Sequence, residues 1–180
     1  MGIPKLLAVL VLAVGISLAC AGAPPSQSGG SATSATKDQR ANLGEPFSLG
    51  DYSYQIDKAS KSRVVGTNQF ARKTAPTGAT WVVVEYRLRN DGKKSEVSFG
   101  SQLKLIDPSG REFDTSSEGS TAVMMSGGPD TLSSEHPPGI WQNSAAVFLI
   151  PDDAWAPGLD LVVPAGVWKS GRVLVSLVSE

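Results

Sequence analysis

The chain has 180 residues, of which 18% are charged, and its formal net charge is −1. This near-neutral charge, with basic residues scattered along the chain, excludes the electrostatic footprint of a nucleic-acid-binding protein. One histidine and one cysteine exclude a multi-histidine zinc site and a disulfide-built fold.

The first 19 residues have the pattern of a secretory signal peptide. Lys5 supplies a positive charge, and residues 6–19 form an uncharged apolar run that ends in small residues. A membrane-spanning helix needs about 20 apolar residues, so this run is too short for one. We therefore expect residues 1–19 to direct export and to be removed.

Cys20 follows the apolar run directly and is the candidate site of lipidation. The sequence Ser17-Leu18-Ala19-Cys20 resembles the bacterial lipobox, in which the cysteine is acylated and becomes the mature N-terminus. A competing A-x-A site ends at Ala23, and cleavage there would release a soluble secreted protein. A lone cysteine at this position fits an acyl anchor better than a disulfide, so we expect attachment to the cell membrane or the outer membrane, outside the cytoplasm.

Residues 20–41 lack aromatic and large aliphatic side chains and are rich in Ala, Ser, Gly and Pro. Such a segment cannot bury enough surface to offset the entropy of ordering it. We therefore predict a lipidated cysteine and a disordered linker over residues 20–41, followed by a folded domain over residues 42–180.

The domain begins with alternating patterns that are typical of half-buried strands. Apolar and polar residues alternate over residues 52–57. They alternate again over residues 80–89, where every second side chain is predicted to face the core. These core-facing residues are Val82, Val84, Tyr86 and Leu88. Asn90-Asp91-Gly92 then ends this strand with turn-forming residues.

Five further strands follow in chain order, two of them in a hairpin. Residues 103–113 predict a β-hairpin around a Pro-Ser-Gly turn, and residues 145–150 are apolar on both faces, as in a central strand. Residues 159–163 and 172–178 complete the pattern, and no segment shows a convincing helical period. The sequence therefore predicts an all-β fold, a two-sheet immunoglobulin-like β-sandwich.

The stretches VVVEYRLRNDG, LKLIDPSGREF and AVFLIPDD, with a Pro-Gly turn before the last, resemble a known family. It is the telokin-like immunoglobulin-fold domain of unknown function found in exported bacterial lipoproteins. The resemblance covers residues 47–178 and implies a fold and an extracytoplasmic location, but it identifies no catalytic or binding residue. This chain departs from the family by having Ile140-Trp141 where a Glu is common. The matching residues are Asn90, Gly92, Leu105, Asp107, Gly110, Pro138, Gly139 and Pro151.

Residues 115–143 contain no clear long strand, and loops of this length in compact domains are usually functional or disordered. Met124, Met125 and Trp141 in this segment are residue types that form adaptable binding surfaces, and we take them as candidate interaction residues. The alternative is that they cap an open end of the sandwich.

No motif for catalysis occurs in the sequence, so we predict a protein that is not an enzyme and that needs no cofactor. His136 is expected at a turn or on the surface. Met124, Met125 and His136 together leave open a copper-handling alternative, because thioethers suit Cu(I). The function predicted from sequence is a membrane-tethered binding module for an unidentified protein or small molecule of the cell envelope.

Overall fold

The computed structural model of the chain describes residues 38–99, 102–129, 133–165 and 171–178. The predicted signal peptide, Cys20 and the linker before Asp38 lie outside the described residues. Within them, the strands are β1 (Gln39–Ala41), β2 (Pro46–Leu49), β3 (Tyr52–Ser62), β4 (Val64–Val65), β5 (Lys73–Thr74), β6 (Ala79–Asn90), β7 (Glu96–Phe99), β8 (Lys104–Ile106), β9 (Glu112–Asp114), β10 (Ser133–His136), β11 (Trp141–Pro151), β12 (Asp160–Pro164) and β13 (Arg172–Ser176). The helix α1 spans Ser117–Met124.

One sheet contains four antiparallel strands in the order β11-β6-β3-β2. Its long central strand β6 follows the alternation seen in the sequence: Val82, Val84, Tyr86 and Leu88 are all buried, at 5% exposure or less. The predicted strands over residues 52–57 and 80–89 are therefore confirmed.

The second sheet contains five strands in the order β1-β13-β12-β8-β9. β8 and β9 form the predicted hairpin, and β12 and β13 match the two predicted C-terminal strands. β1 pairs in parallel with β13 at the edge, so the predicted linker ends too late: residues 39–41 belong to the sandwich. Strand pairing holds these residues, and two ion pairs reinforce it. Asp38 pairs with Arg172, and Arg40 pairs with Asp160.

The inner faces of the two sheets enclose the main hydrophobic core. Ile56, Val84 and Phe148 come from the first sheet, and Leu105 and Leu161 come from the second, and all five are fully buried. This packing confirms the predicted all-β sandwich fold.

β11 lies at the edge of its sheet, not in the centre as residues 145–150 predicted. It is apolar on both faces because its outer face is also covered. Thr115 bridges to Phe148, and the Ser116 amide donates to the Val147 carbonyl at 2.6 Å, so the chain between β9 and α1 protects this edge.

The prediction that the domain lacks a helix is wrong, because α1 packs on the outer face of this sheet. Trp81, Val147 and Ala122 form a second, smaller core cluster beneath it. Gly119 allows the close approach: a Cβ there would lie 2.6 Å from Val147 Cγ1 and 2.8 Å from the Trp81 ring. Among the described residues, no helix is long and apolar enough to cross a membrane.

The predicted loop over residues 115–143 is largely regular structure. It contains α1, and its later part includes β10, which pairs with β7 as a two-stranded ribbon. The interpretation of this segment as one long loop is therefore wrong, because Ala122 and Val123 of α1 pack on the outer face of the first sheet and β10 pairs with β7.

Candidate functional site

Asn90 joins the end of β6 to the segment that enters β11. Its side-chain Nδ2 donates to the carbonyls of Lys94 at 2.7 Å and His136 at 2.8 Å, and its Oδ1 accepts from the Gly92 amide at 2.8 Å. The Gly139 amide donates to the Asn90 carbonyl at 2.8 Å. Asn90 itself is fully buried, and its hydrogen bond to His136 is shielded from water, whereas its bonds to Lys94 and Gly92 are partly buried. Four residues of the family resemblance thus meet at one end of the sheet, since Pro138 also bridges to Asn90.

Asp107 plays the same part in the β8–β9 hairpin. Its buried carboxylate accepts from the Ser109 hydroxyl at 2.7 Å and from the Arg111 amide at 2.9 Å and side-chain Nε at 2.6 Å. Burial raises the pKa of Asp107, but these hydrogen bonds outweigh burial and lower it to about 2. The motif residues Asn90 and Asp107 therefore hold turns in place. Their hydrogen bonds indicate a structural role and not a reactive one.

The outer face of the first sheet is covered by α1 at one end and is open at the other. Two cross-strand rows lie on the open part. One row runs from Trp141 through Arg89 and Ser53 to Ser48, and the next contains Asn143, Arg87 and Gln55. We call these seven residues the polar face.

Ion pairs hold the arginines of the polar face in fixed positions. Arg87 Nε and Nη2 each donate to the Asp57 carboxylate at 3.0 Å, and Arg89 Nε donates to Asp91 at 2.6 Å. Ser53 also donates to Asp91 at 2.5 Å. Hydrogen bonds from Ser53 and then Arg89 lower the pKa of Asp91, and the hydrogen bonds to Asp57 raise the pKa of Arg87, so Asp91 and Arg87 stay charged at neutral pH.

The local charges of the polar face balance. Glu85 and Lys58 face each other in register beside the Arg87–Asp57 and Arg89–Asp91 pairs. A balanced surface does not concentrate ions of one sign, but its charged groups keep hydrogen-bonding capacity. It is suited to a neutral, polar ligand.

Trp141 supplies an aromatic surface at the edge of the polar face. Its side chain is 38% exposed, and the Arg89 guanidinium lies over the ring, 5.1 Å from the centroid. One ring face is thereby supported by a cation–π contact, which fixes the ring in an orientation. The exposed remainder of the ring is available for stacking.

A second exposed surface lies where α1 ends. Phe70 is 86% exposed, Met125 is 54% exposed and Met124 is 39% exposed. We call these three residues the Phe70 patch. The sequence identified the two methionines, but it did not single out Phe70, the one large apolar residue in the stretch TNQFARK.

A hydrogen-bonded loop presents Phe70 beside the methionines. The Ser126 hydroxyl accepts from the Thr67 amide at 2.7 Å and the Asn68 amide at 3.1 Å, and it donates to the Ala122 carbonyl. The Asn68 side chain donates to the Met125 carbonyl and accepts from the Phe70 amide at 3.0 Å. The loop is therefore fixed to the end of α1 while Phe70 points outward.

The structure does not bring all three candidate interaction residues together. Met124 and Met125 lie at the C-terminal end of α1, the helix that packs over Trp81, whereas Trp141 lies opposite Arg89. Trp81 and Arg89 are separated by about 27 Å along β6. The candidate residues thus belong to two surfaces, the Phe70 patch and the polar face.

His136 is buried at 3% exposure, so its predicted place at a turn or on the surface is wrong. Its carbonyl is held by Asn90, and its ring lies edge-on to Tyr52, with centroids 6.3 Å apart. It lies at the Asn90 end, away from Met124 and Met125, so these residues do not form the copper site considered from the sequence. Within the described ranges, no three His, Cys, Asp or Glu side chains group as metal ligands.

Two packed sheets with a helix on one outer face define this chain as an all-β sandwich domain. The chain belongs to the family described as Domain of unknown function (DUF4352), which it matches over residues 41–173. It is similar to the protein YxkC of Bacillus subtilis (strain 168), with 27% identity over 127 residues, covering 69% of this chain and 70% of that protein.

Solved structures show the same fold. A β-sandwich protein from Clostridium difficile 630 has a TM-score of 0.52 and 12% identity, covering 79% of this chain and 96% of that one. A candidate lipoprotein, ycdA, from Bacillus subtilis has a TM-score of 0.51 and 10% identity, covering 72% of this chain and 37% of that one. At these identities the likeness establishes the sandwich fold alone.

Proposed function

We propose that this protein is an exported lipoprotein, anchored through acylated Cys20, whose sandwich binds a ligand on the polar face. The leader and lipobox of the sequence support the anchor, as does the likeness to a sandwich described as a candidate lipoprotein. The resemblance to telokin-like domains favours an immunoglobulin-type strand arrangement for the same sandwich.

The observation that carries the binding proposal is the fixed, charge-balanced row around Trp141. A sugar ring stacks its apolar face on an aromatic ring and offers hydroxyl groups to planar polar side chains. The polar face supplies an aromatic ring in Trp141 and planar polar side chains in Arg87 and Arg89. They lie in two adjacent rows of a sheet whose neighbouring strands are about 4.8 Å apart. We therefore propose a neutral oligosaccharide as the class of ligand.

Binding without catalysis is part of this proposal. A general acid or base works best when its pKa lies near the operating pH. Hydrogen bonds from Ser53 and then Arg89 lower the pKa of Asp91, and the hydrogen bond to Asp57 raises the pKa of Arg87, so both pKa values move away from neutrality. These groups are suited to orienting a ligand, and they are poorly suited to exchanging protons with it.

Isothermal titration with neutral oligosaccharides of glucose, mannose and N-acetylglucosamine tests the proposal. We expect one of these probes to bind, and Trp141→Ala to weaken it by about tenfold or more through loss of stacking. Leu43→Ala, which removes an apolar side chain of similar exposure outside this face, is the matched control. Absence of binding by every probe, or equal affinity in the Trp141 variant, contradicts the assignment of the polar face.

A further inference from the structure

We propose that the Phe70 patch docks on the lipid surface of the membrane to which Cys20 tethers the chain. This inference rests on the anchoring part of the proposed function and adds a second contact between the protein and the bilayer. The patch is separate from the polar face and does not depend on the identity of its ligand.

The first argument is that the patch is both exposed and rigid. A phenylalanine at 86% exposure gains nothing from the core of its own domain, yet its neighbour Ala71 is buried at 6%. The amides of Ala71 and Arg72 both donate to the Asn68 carbonyl, at 3.0 and 2.8 Å, which closes a tight turn around Phe70. The loop is already ordered in the folded protein. A contact between Phe70 and an apolar surface therefore carries no further entropy cost for ordering the loop.

The second argument comes from the length of chain between Cys20 and the sandwich. Residues 21–37 number 17, and 17 residues of chain span at most about 60 Å. A sandwich of this size is about 37 Å across. A tether with this reach holds the sandwich within about two domain diameters of the bilayer, so an exposed apolar patch meets lipid at high effective concentration.

The third argument is the charge around the patch. Arg72 is exposed directly beside Phe70, and Lys73 pairs with Glu118 at 2.7 Å, so the rim carries no excess of negative charge. Lipid headgroups therefore do not repel this surface, and Arg72 can contact a phosphate while Phe70 and the methionines enter the acyl boundary.

Docking through the patch would also set the orientation of the sandwich. The patch lies at the α1 end of the outer face, and Trp141 lies at the other end of the same sheet. The polar face, about 27 Å away along β6, would then lie outside the contact with lipid, where a ligand of the cell envelope can reach it.

The test uses the mature chain, residues 20–180, with its single thiol coupled to a maleimide lipid in phosphatidylcholine–phosphatidylglycerol vesicles. Cys20 is the only cysteine, so coupling supplies the anchor at one position whether or not cells acylate it. The reference is the same chain capped at Cys20 with N-ethylmaleimide and mixed with the same vesicles. Hydrogen–deuterium exchange is followed in peptides covering residues 66–72 and 124–127.

We expect vesicle coupling to slow exchange in these peptides by about threefold or more, which corresponds to a docked fraction of about two thirds. Phe70→Ser should abolish the slowing, and the substitution leaves folding intact because the side chain is outside both cores. Ile140→Ser, which removes a side chain 54% exposed at the other end of the sheet, is the matched control and should retain it.

Equal exchange in coupled and capped chains overturns the docking proposal, as does slowing that persists in Phe70→Ser. Slowing in the capped chain that grows with protein concentration would identify a second copy as the occupant and would also overturn it. Because the anchor is supplied chemically, these outcomes are independent of whether Cys20 is acylated in cells, which a separate mass measurement decides.

Discussion

Replacing Asn90 by alanine should destabilise the domain more than any substitution of an exposed residue. The change removes hydrogen bonds to the carbonyls of His136 and Lys94 and to the Gly92 amide, at 2.7 to 2.8 Å. The bond to His136 is buried, whereas the other two lie in partly buried positions where water can replace part of the loss. Counting 1 to 3 kcal/mol for the buried group and about 0.5 each for the others gives a loss of about 2 to 4 kcal/mol.

Urea unfolding followed by circular dichroism measures this loss, provided the slope of the transition is unchanged. The matched control is Asn143→Ala at an exposed position of β11, which should change the free energy of unfolding by less than about 0.5 kcal/mol. A loss below about 1 kcal/mol for Asn90→Ala would falsify the view that this residue joins the two segments. Equal losses in both variants would refute it as well.

Three further outcomes are expected. The pKa of Asp107 is lowered to about 2, so its ionised carboxylate stabilises the fold above about pH 4, and this contribution is lost as the pH falls from about 4 to about 2. The free energy of unfolding measured against pH should show that loss in the parent chain and not in Asp107→Asn. Gly119→Ala should lower the unfolding free energy by about 1 to 3 kcal/mol despite better helix propensity, because its Cβ meets Val147 and the Trp81 ring, and a stabilised variant would contradict the packing. Trp81→Ala should cost about 3 to 5 kcal/mol in thermal or urea unfolding and Trp141→Ala less than about 1, whereas equal costs would place Trp141 in a core.

The long strand β6 could be predicted because its burial alternates: it buries every second residue from Val82 to Leu88, so a period of two was visible in the sequence. β13 was predicted from Val173 and Val175 on one face, and the structure buries Leu174 between them as well. The turn residues Asn90 and Asp107 were recognised for the same local reason. That Asn90 meets Gly139 could not be seen, because nearly fifty residues separate them.

The helix α1 was missed because its stability comes from tertiary packing. Its sequence SEGSTAVM contains Gly, Ser, Thr and Val, which are weak helix formers, and eight residues are too few to be stable alone. The Ser116 hydroxyl caps it by accepting from the Gly119 amide at 3.2 Å, a signal that was present in the sequence. What holds the helix is its contact with Trp81 and Val147.

Phe70 and the burial of His136 were missed for a related reason. A single aromatic residue in a short loop has no periodicity to interpret, and its exposure depends on Ser126, which is 58 residues from Asn68 in the chain. His136 is buried because Asn90 and Tyr52 enclose it, and both belong to other strands. Contacts of this kind are set by the fold and leave no local pattern.

The proposed anchor is tested most directly by the intact mass of the mature N-terminal peptide isolated from native cells. The account predicts a peptide that begins at Cys20 and carries the added mass of acyl chains, with the protein recovered in the membrane fraction. An unmodified peptide beginning at Pro24, after cleavage at Ala23, would contradict it and would make the sandwich a protein released in solution outside the cytoplasm.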